Sequence, residues 1–257
     1  MKENNKFLAK LWIPIVLLII FASIGLVREI SEAWTYVLIP VIVLLFFYVI
    51  RVRVKNRVKA ALQHQTPDKL IETIASPLRG SVRKELQEPF YVYNTALSYV
   101  FYGELDKAAS VMNTIEWETK EPMFQALNDS IRSQIQYFTN DIHSGLANAR
   151  RAKALAATSS FPGAKKSAEV YEAYVEVGEI VGWNRNDDLI RSLEQKYQKM
   201  PLLPKLIIAW GLMNGYHQRN ETKKCEDMLE FCKSSAPHCK GLVKIVGRGT
   251  QDEINFN

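Results

Sequence analysis

Strand signals are almost missing from this chain. Beyond residue 60, no stretch alternates apolar and polar residues with the period of two that a half-buried strand needs. Helix is therefore the regular structure to expect. Cysteine is scarce, with three in 257 residues. That is too few for a disulfide framework and fits a reducing compartment. Histidine is limited to His64, His143, His217 and His238. None falls in an H-E-x-x-H motif or at a recognisable spacing from a nucleophile. No Walker loop or Gly-x-Gly-x-x-Gly is present, and Gly247-Arg248-Gly249 has neither strand before it nor helix after it. Cys225, Cys232 and Cys239 recur at intervals of seven. On a helix that spacing separates Cα atoms by about 10 Å, too far for two thiolates on one zinc. Small buried positions on a helix face are the expected reading. The sequence thus points to no catalytic residue, no cofactor and no metal, and the expectation is a protein that is not an enzyme.

The chain has an excess of base, with 33 Lys and Arg against 27 Asp and Glu. Nine basic residues and three acids lie in residues 1–59. Removing them leaves 24 of each sign in residues 60–257. The C-terminal part is formally neutral, which argues against a nucleic-acid surface. The excess flanks two long uncharged runs.

The first run, Leu11–Val27, holds seventeen residues without a charge, twelve of them Leu, Ile, Val or Phe. The second, Tyr36–Ile50, again has twelve such residues and no charge. Trp34, Thr35 and Arg51–Val54 extend it, because arginines near a helix end reach the headgroups. Two transmembrane helices are expected, at about 11–27 and 34–52. A cleaved signal peptide competes for the first run, but no small-x-small cleavage site stands near Val27. Lysines precede the first run, and Arg51, Arg53, Lys55, Arg57 and Lys59 follow the second. The positive-inside rule then places both termini in the cytoplasm of a cell-membrane protein. The same five residues are candidate contacts for anionic lipid headgroups, beside their role in orientation.

From residue 60 onward, apolar residues recur at helical spacing. Thr66-Pro67-Asp68 reads as a helix start, with Thr as N-cap and Pro in the first turn. Ser76-Pro77, Glu88-Pro89, Glu121-Pro122, Phe161-Pro162-Gly163, Met200-Pro201 and Ala236-Pro237 read as boundaries. Between them the stretches divide again at polar turns, giving pairs. The first pair runs Phe90–Tyr102, then Gly103–Asp106, then Lys107–Ile115. Ala96 and Ala108 are its small positions and Tyr99 its aromatic. Met112 and Ile115 complete its second helix. A second pair has Phe138, a turn at Asn140-Asp141, then Ala147 and Ala154. A third has Gly178, a turn at Asn184–Asp187 and Leu189–Tyr197. A fourth has Gly211, Arg219-Asn220 and Cys225–Phe231.

This pattern resembles a tetratricopeptide repeat, over roughly residues 88–236, most specifically in the first pair. It lacks the family's Trp-Leu-Gly triplet, and an irregular bundle is the alternative. The resemblance implies an all-α chain: a transmembrane hairpin with its basic segment (1–59), connecting helices (60–87), an α-solenoid of about four helix pairs (88–243) and a tail (244–257). It also implies a groove lined by the first helix of each pair, with Tyr93, Arg132, Gln136, Glu179 and Tyr216 as candidate partner-binding residues. The expected role is a membrane-anchored cytoplasmic scaffold or adaptor for a protein partner. The alternative is an accessory subunit of a membrane complex, a transporter or secretion system, that contacts it through the hairpin.

Overall fold

The structure is a computed structural model that describes residues 32–76, 84–182 and 187–246, without the side chains of 32–39, 51, 84 and 85. Ten α-helices appear in it: α1 (Glu32–Leu62), α2 (Asp68–Ile74), α3 (Lys84–Val100), α4 (Leu105–Met112), α5 (Pro122–Phe138), α6 (Ile142–Thr158), α7 (Ala164–Val181), α8 (Asp187–Lys199), α9 (Leu202–Gln218) and α10 (Thr222–Ser235). Short 3-10 turns sit at Trp117–Thr119 and Lys240–Val243. The described residues contain no strand. The chain divides into two compact units, residues 1–54 and 55–257.

The candidate span at 11–27 and the Gly247–Gly249 loop lie outside the described residues. The second candidate span falls on α1, which continues as one helix through the basic run to Leu62. Among the described residues, no helix is long and apolar enough to cross a membrane.

Two local expectations fail for identifiable reasons. Pro89 lies inside α3 rather than at a boundary. It sits in the second turn, where a missing N–H removes one bond near the helix end instead of splitting the interior. Thr66 does not cap α2. Its hydroxyl donates to the Asp68 carboxylate at 3.0 Å, while the Pro67 carbonyl accepts from the Ile71 N–H at 2.9 Å.

Three of the pair turns share one geometry, while residues 184–186 of the third pair's turn lie outside the described residues. Gly103, Asn140 and Asn220 have φ of 71°, 68° and 60°, the left-handed cap that glycine and asparagine adopt most readily. In each turn the next residue's N–H reaches back to a carbonyl five residues earlier: Glu104 to Tyr99 at 3.0 Å, Asp141 to Gln136 at 2.9 Å and Glu221 to Tyr216 at 2.9 Å. Each of these three residues then starts the second helix of its pair. Five positions after the left-handed residue come Ala108, Gly145 and Cys225, all buried. This count corrects the register expected for the second pair. Ala147 and Ala154 are exposed, and α6 buries Gly145, Ala149, Ala152 and Ala156 instead.

That small-residue face lets α6 pack between α5 and α7. Tyr137 on α5 fills the seam. A Cβ on Gly145 would lie 2.5 Å from its ring, and one on Gly178 of α7 only 2.2 Å from its hydroxyl oxygen. The hydroxyl donates to the Tyr174 carbonyl at 2.9 Å. Next along the array, α7 packs on α9, where Gly211 meets Val177 and Gly215 meets Ile180 and Ile190. Helix α9 is buried on nearly every side, as a helix without a polar face must be.

Two outcomes test this packing. Ala108 is fully buried, while Lys107 is exposed and paired with Glu104. Ala108→Arg should destabilise the chain by at least about 1–3 kcal/mol through overpacking alone, and Lys107→Ala should leave the urea midpoint unchanged. Gly178→Ala should cost a similar amount, about 1–3 kcal/mol. Part of that loss should be recovered when Tyr137→Phe removes the oxygen that the new methyl meets. A double-mutant cycle reads the recovery directly.

Candidate functional site

The five candidate groove residues are placed at separate points on the array. Tyr93 on α3 pairs with Ser130 of α5, and burial pushes its hydroxyl up to about 12. Tyr171 and Tyr174 of α7 lie beside it, and burial holds both well above the usual tyrosine value. Arg132 is exposed and donates to Asn128 at 3.1 Å and Asn113 at 3.3 Å. Gln136 accepts from Asn148 of α6 at 2.6 Å. Glu179 pairs with Arg150 of α6 at 3.0 Å. Tyr216 donates to Glu194 of α8 at 2.6 Å, under Lys224 of α10 at 5.0 Å. Burial first, then this bond to a carboxylate, raises its pKa. Tyr216 thus lines a cleft of about 440 Å³ between α8 and α10, with Arg191, Tyr197 and Met228. The other four are not among the residues lining it.

The chain's own C-terminal segment instead meets the first helices of three pairs. After α10 it turns at Pro237 and passes α3, α5 and α9. The His238 ring stacks on Tyr102 at 5.4 Å. Cys239 Sγ approaches the Val100 carbonyl at 3.5 Å. Gly241 lies so close to Phe138 that a Cβ there would sit 2.7 Å from the ring. Trp210 Nε1 donates to the Lys244 carbonyl at 2.9 Å, and the Val246 N–H donates to Asn214 Oδ1 at 2.8 Å. Leu242 and Ile245 are buried. Gln63 closes the circuit by donating to the Ser234 carbonyl at 2.9 Å.

Spacing and motif reading missed this segment. The available signal was the apolar run of α9, Leu202–Tyr216, which needs cover on every side. Cys225, Cys232 and Cys239 are buried and free, but Cys239 follows the end of α10 rather than lying on its face. Burial pushes the Cys239 thiol up to about 12 and raises the Cys232 thiol as well. Among the described residues, no group of three or more His, Cys, Asp or Glu side chains is placed to hold a metal ion.

In the other unit, Val41, Leu44, Leu45, Phe47, Tyr48 and Ile50 of α1 are exposed, Leu44 at 68% and Phe47 at 63%. Arg53, Lys55, Arg57 and Lys59 follow and are exposed too. The side chain of Arg51 lies outside the description. Comparison with known proteins finds no matching family model, curated protein or solved structure.

One buried charge inside the array gives a direct test. Asp129 is 1% exposed and its carboxylate is gripped by both arms of the Arg151 guanidinium from α6. The hydrogen bond to this carboxylate raises the arginine's own pKa. Arg151→Ala strands a buried carboxylate and should cost about 1.5–3 kcal/mol, the range for hydrogen bonds to charged groups. Arg151→Lys should recover only part, because a point charge does not replace a two-armed contact. Urea midpoints of the three chains decide.

Proposed function

We propose that this chain is a membrane-anchored adaptor whose helix pairs form a tetratricopeptide-like array that binds a protein partner on the cytoplasmic side. One observation carries the anchored half. Helix α1 exposes a run of large apolar side chains from Val41 to Ile50, and its sequence is uncharged from Ala33 to Ile50. Water solvates such a surface poorly, and contiguous exposed apolar patches mark contact with membrane or protein. Arg51, Arg53, Lys55, Arg57 and Lys59 suit an anionic headgroup layer, at about 1 kcal/mol for each basic residue near the surface. The uncharged run at 11–27 supplies a second span by the same criterion, and both termini face the cytoplasm under this reading.

The adaptor half rests on the repeated turn and on the helix pairs it organises. Helical arrays offer long composite surfaces, and a tether raises the effective concentration of whatever binds there. The exposed apolar side chains of α1 also favour a second reading, an accessory subunit whose α1 packs against neighbouring membrane helices in a transporter or secretion system.

With residues 11–27 deleted, so that α1 is the one remaining candidate span, Leu44→Arg combined with Phe47→Arg should move the chain from the carbonate-resistant membrane fraction to the supernatant, and in the parent chain reporter activity fused after Asn257 should register as cytoplasmic. A doubly substituted chain that stays carbonate-resistant would remove α1 from the anchor. Replacing residues 1–54 by an unrelated two-span anchor separates the two roles. Partner crosslinks that persist favour the adaptor, and crosslinks that vanish favour the subunit.

A further inference from the structure

We propose that residues Pro237–Val246 are a ligand held in cis: the side of the array where α3, α5 and α9 meet this segment is a site for a short peptide that turns and then extends, and the chain's own segment occupies it until a partner segment of like chemistry takes its place. The proposal rests on the adaptor reading and names how its binding surface is regulated.

The contacts are of the kind that hold a peptide rather than a helix. The segment turns at Pro237-His238, makes a 3-10 turn at Lys240–Val243 and ends extended, with φ −84° and ψ 134° at Lys244. Trp210 and Asn214 lie one turn apart on α9, and each takes a main-chain group, the carbonyl of residue 244 and the N–H of residue 246. Such contacts read backbone geometry and not sequence, as in peptides that dock through their main chain. The clamp is rigid on the array's side. Asn214 is fully buried and fixed by its own bond to the Trp210 carbonyl at 2.9 Å.

Selectivity comes from what lies between and before those bonds. Leu242 and Ile245 enter the array as two apolar anchors three residues apart. Gly241 crosses the Phe138 ring where a side chain would clash. On the array's side, a Cβ on Gly103 would lie 3.5 Å from the His238 carbonyl. A competing segment therefore has a glycine and an aliphatic anchor in a 3-10 turn, and a second aliphatic anchor in an extended end, at the same offsets. A segment lacking the glycine is excluded by Phe138.

The full chain, in mild detergent, carries the test. The probe is a fluorescein-labelled peptide of residues 237–246, beside a scrambled control. The parent should bind it no better than the control, because the site is filled. Leu242→Ser with Ile245→Ser should keep the parent's helical circular dichroism and bind the peptide at least tenfold more tightly than the parent does. Val246→Pro, which deletes only the N–H that Asn214 accepts, should give a smaller gain in the same direction. Adding Asn214→Ala to either should reverse the gain. Alkylation at Cys239, read by mass spectrometry, should rise in step with peptide binding.

A loss of helicity in both released variants overturns the proposal, since the segment is then part of the core. Retained helicity without a gain in peptide binding overturns it equally. A released chain that binds the peptide while the native chain crosslinks to no protein in its membrane refutes the adaptor reading alone.

Discussion

The array is organised around Tyr137. Its ring occupies space that side chains at Gly145 and Gly178 would otherwise fill, and its hydroxyl is consumed by the Tyr174 carbonyl. Three helices from two pairs are fixed by that side chain. The ring also meets Trp210 at 6.0 Å, which connects the second pair to the fourth across the third. Aromatic contacts of this kind add about 0.5–1.5 kcal/mol beyond area burial. Interior packing is close to crystalline density, so the two glycines and the tyrosine form one unit. None of the three can change size without the others.

The seams beside that unit are unusually polar. Asn128, Asp129, Ser130, Ser133 and Gln134 are consecutive or nearly so on α5, and all are buried. Most of them bond within α5: Asn128 accepts from Arg132, Ser130 donates to the Leu127 carbonyl and Gln134 donates to the Ser130 carbonyl, whereas Asp129 is held from the neighbouring α6 by Arg151. Within the third pair, Lys196 of α8 bridges Glu172 and Glu176 of α7 at 3.2 Å and 2.6 Å. Lys153 also holds Glu172, and these contacts depress the glutamate's pKa. Directional bonds of this sort set helix register more than they add stability.

Local chemistry was legible in the sequence wherever it was self-contained. Gly103, Asn140 and Asn220 announce turns because their own side chains, or the lack of one, suit the left-handed backbone. Glu121-Pro122 and Phe161-Pro162-Gly163 announce helix starts for similar reasons. Reading failed where the deciding partner was remote. Ala147 and Ala149 are chemically identical, and it is the helix face turned inward with Gly145, which meets Tyr137, that buries Ala149 and leaves Ala147 outside. Cys239 continued the seven-residue spacing of Cys225 and Cys232, yet Pro237 ends the helix before it. The segment that occupies the face of Trp210 and Asn214 is encoded after α10, and no periodicity connects it to them.

The position of that occupant in the chain sets an order of events during synthesis. All of α3 to α9 is made once Gln218 has been added, whereas Val246 follows 28 residues later. At elongation rates of about 5–20 residues per second, roughly one to six seconds separate them. In that interval the nascent chain has the face of α9 but not its cover. Under the cis-ligand proposal, a segment already present beside the ribosome would meet an open surface with no competitor, whereas one arriving afterwards would first have to displace residues 237–246. On that proposal, loading during translation and loading after it would be two different reactions, with the same product and different barriers.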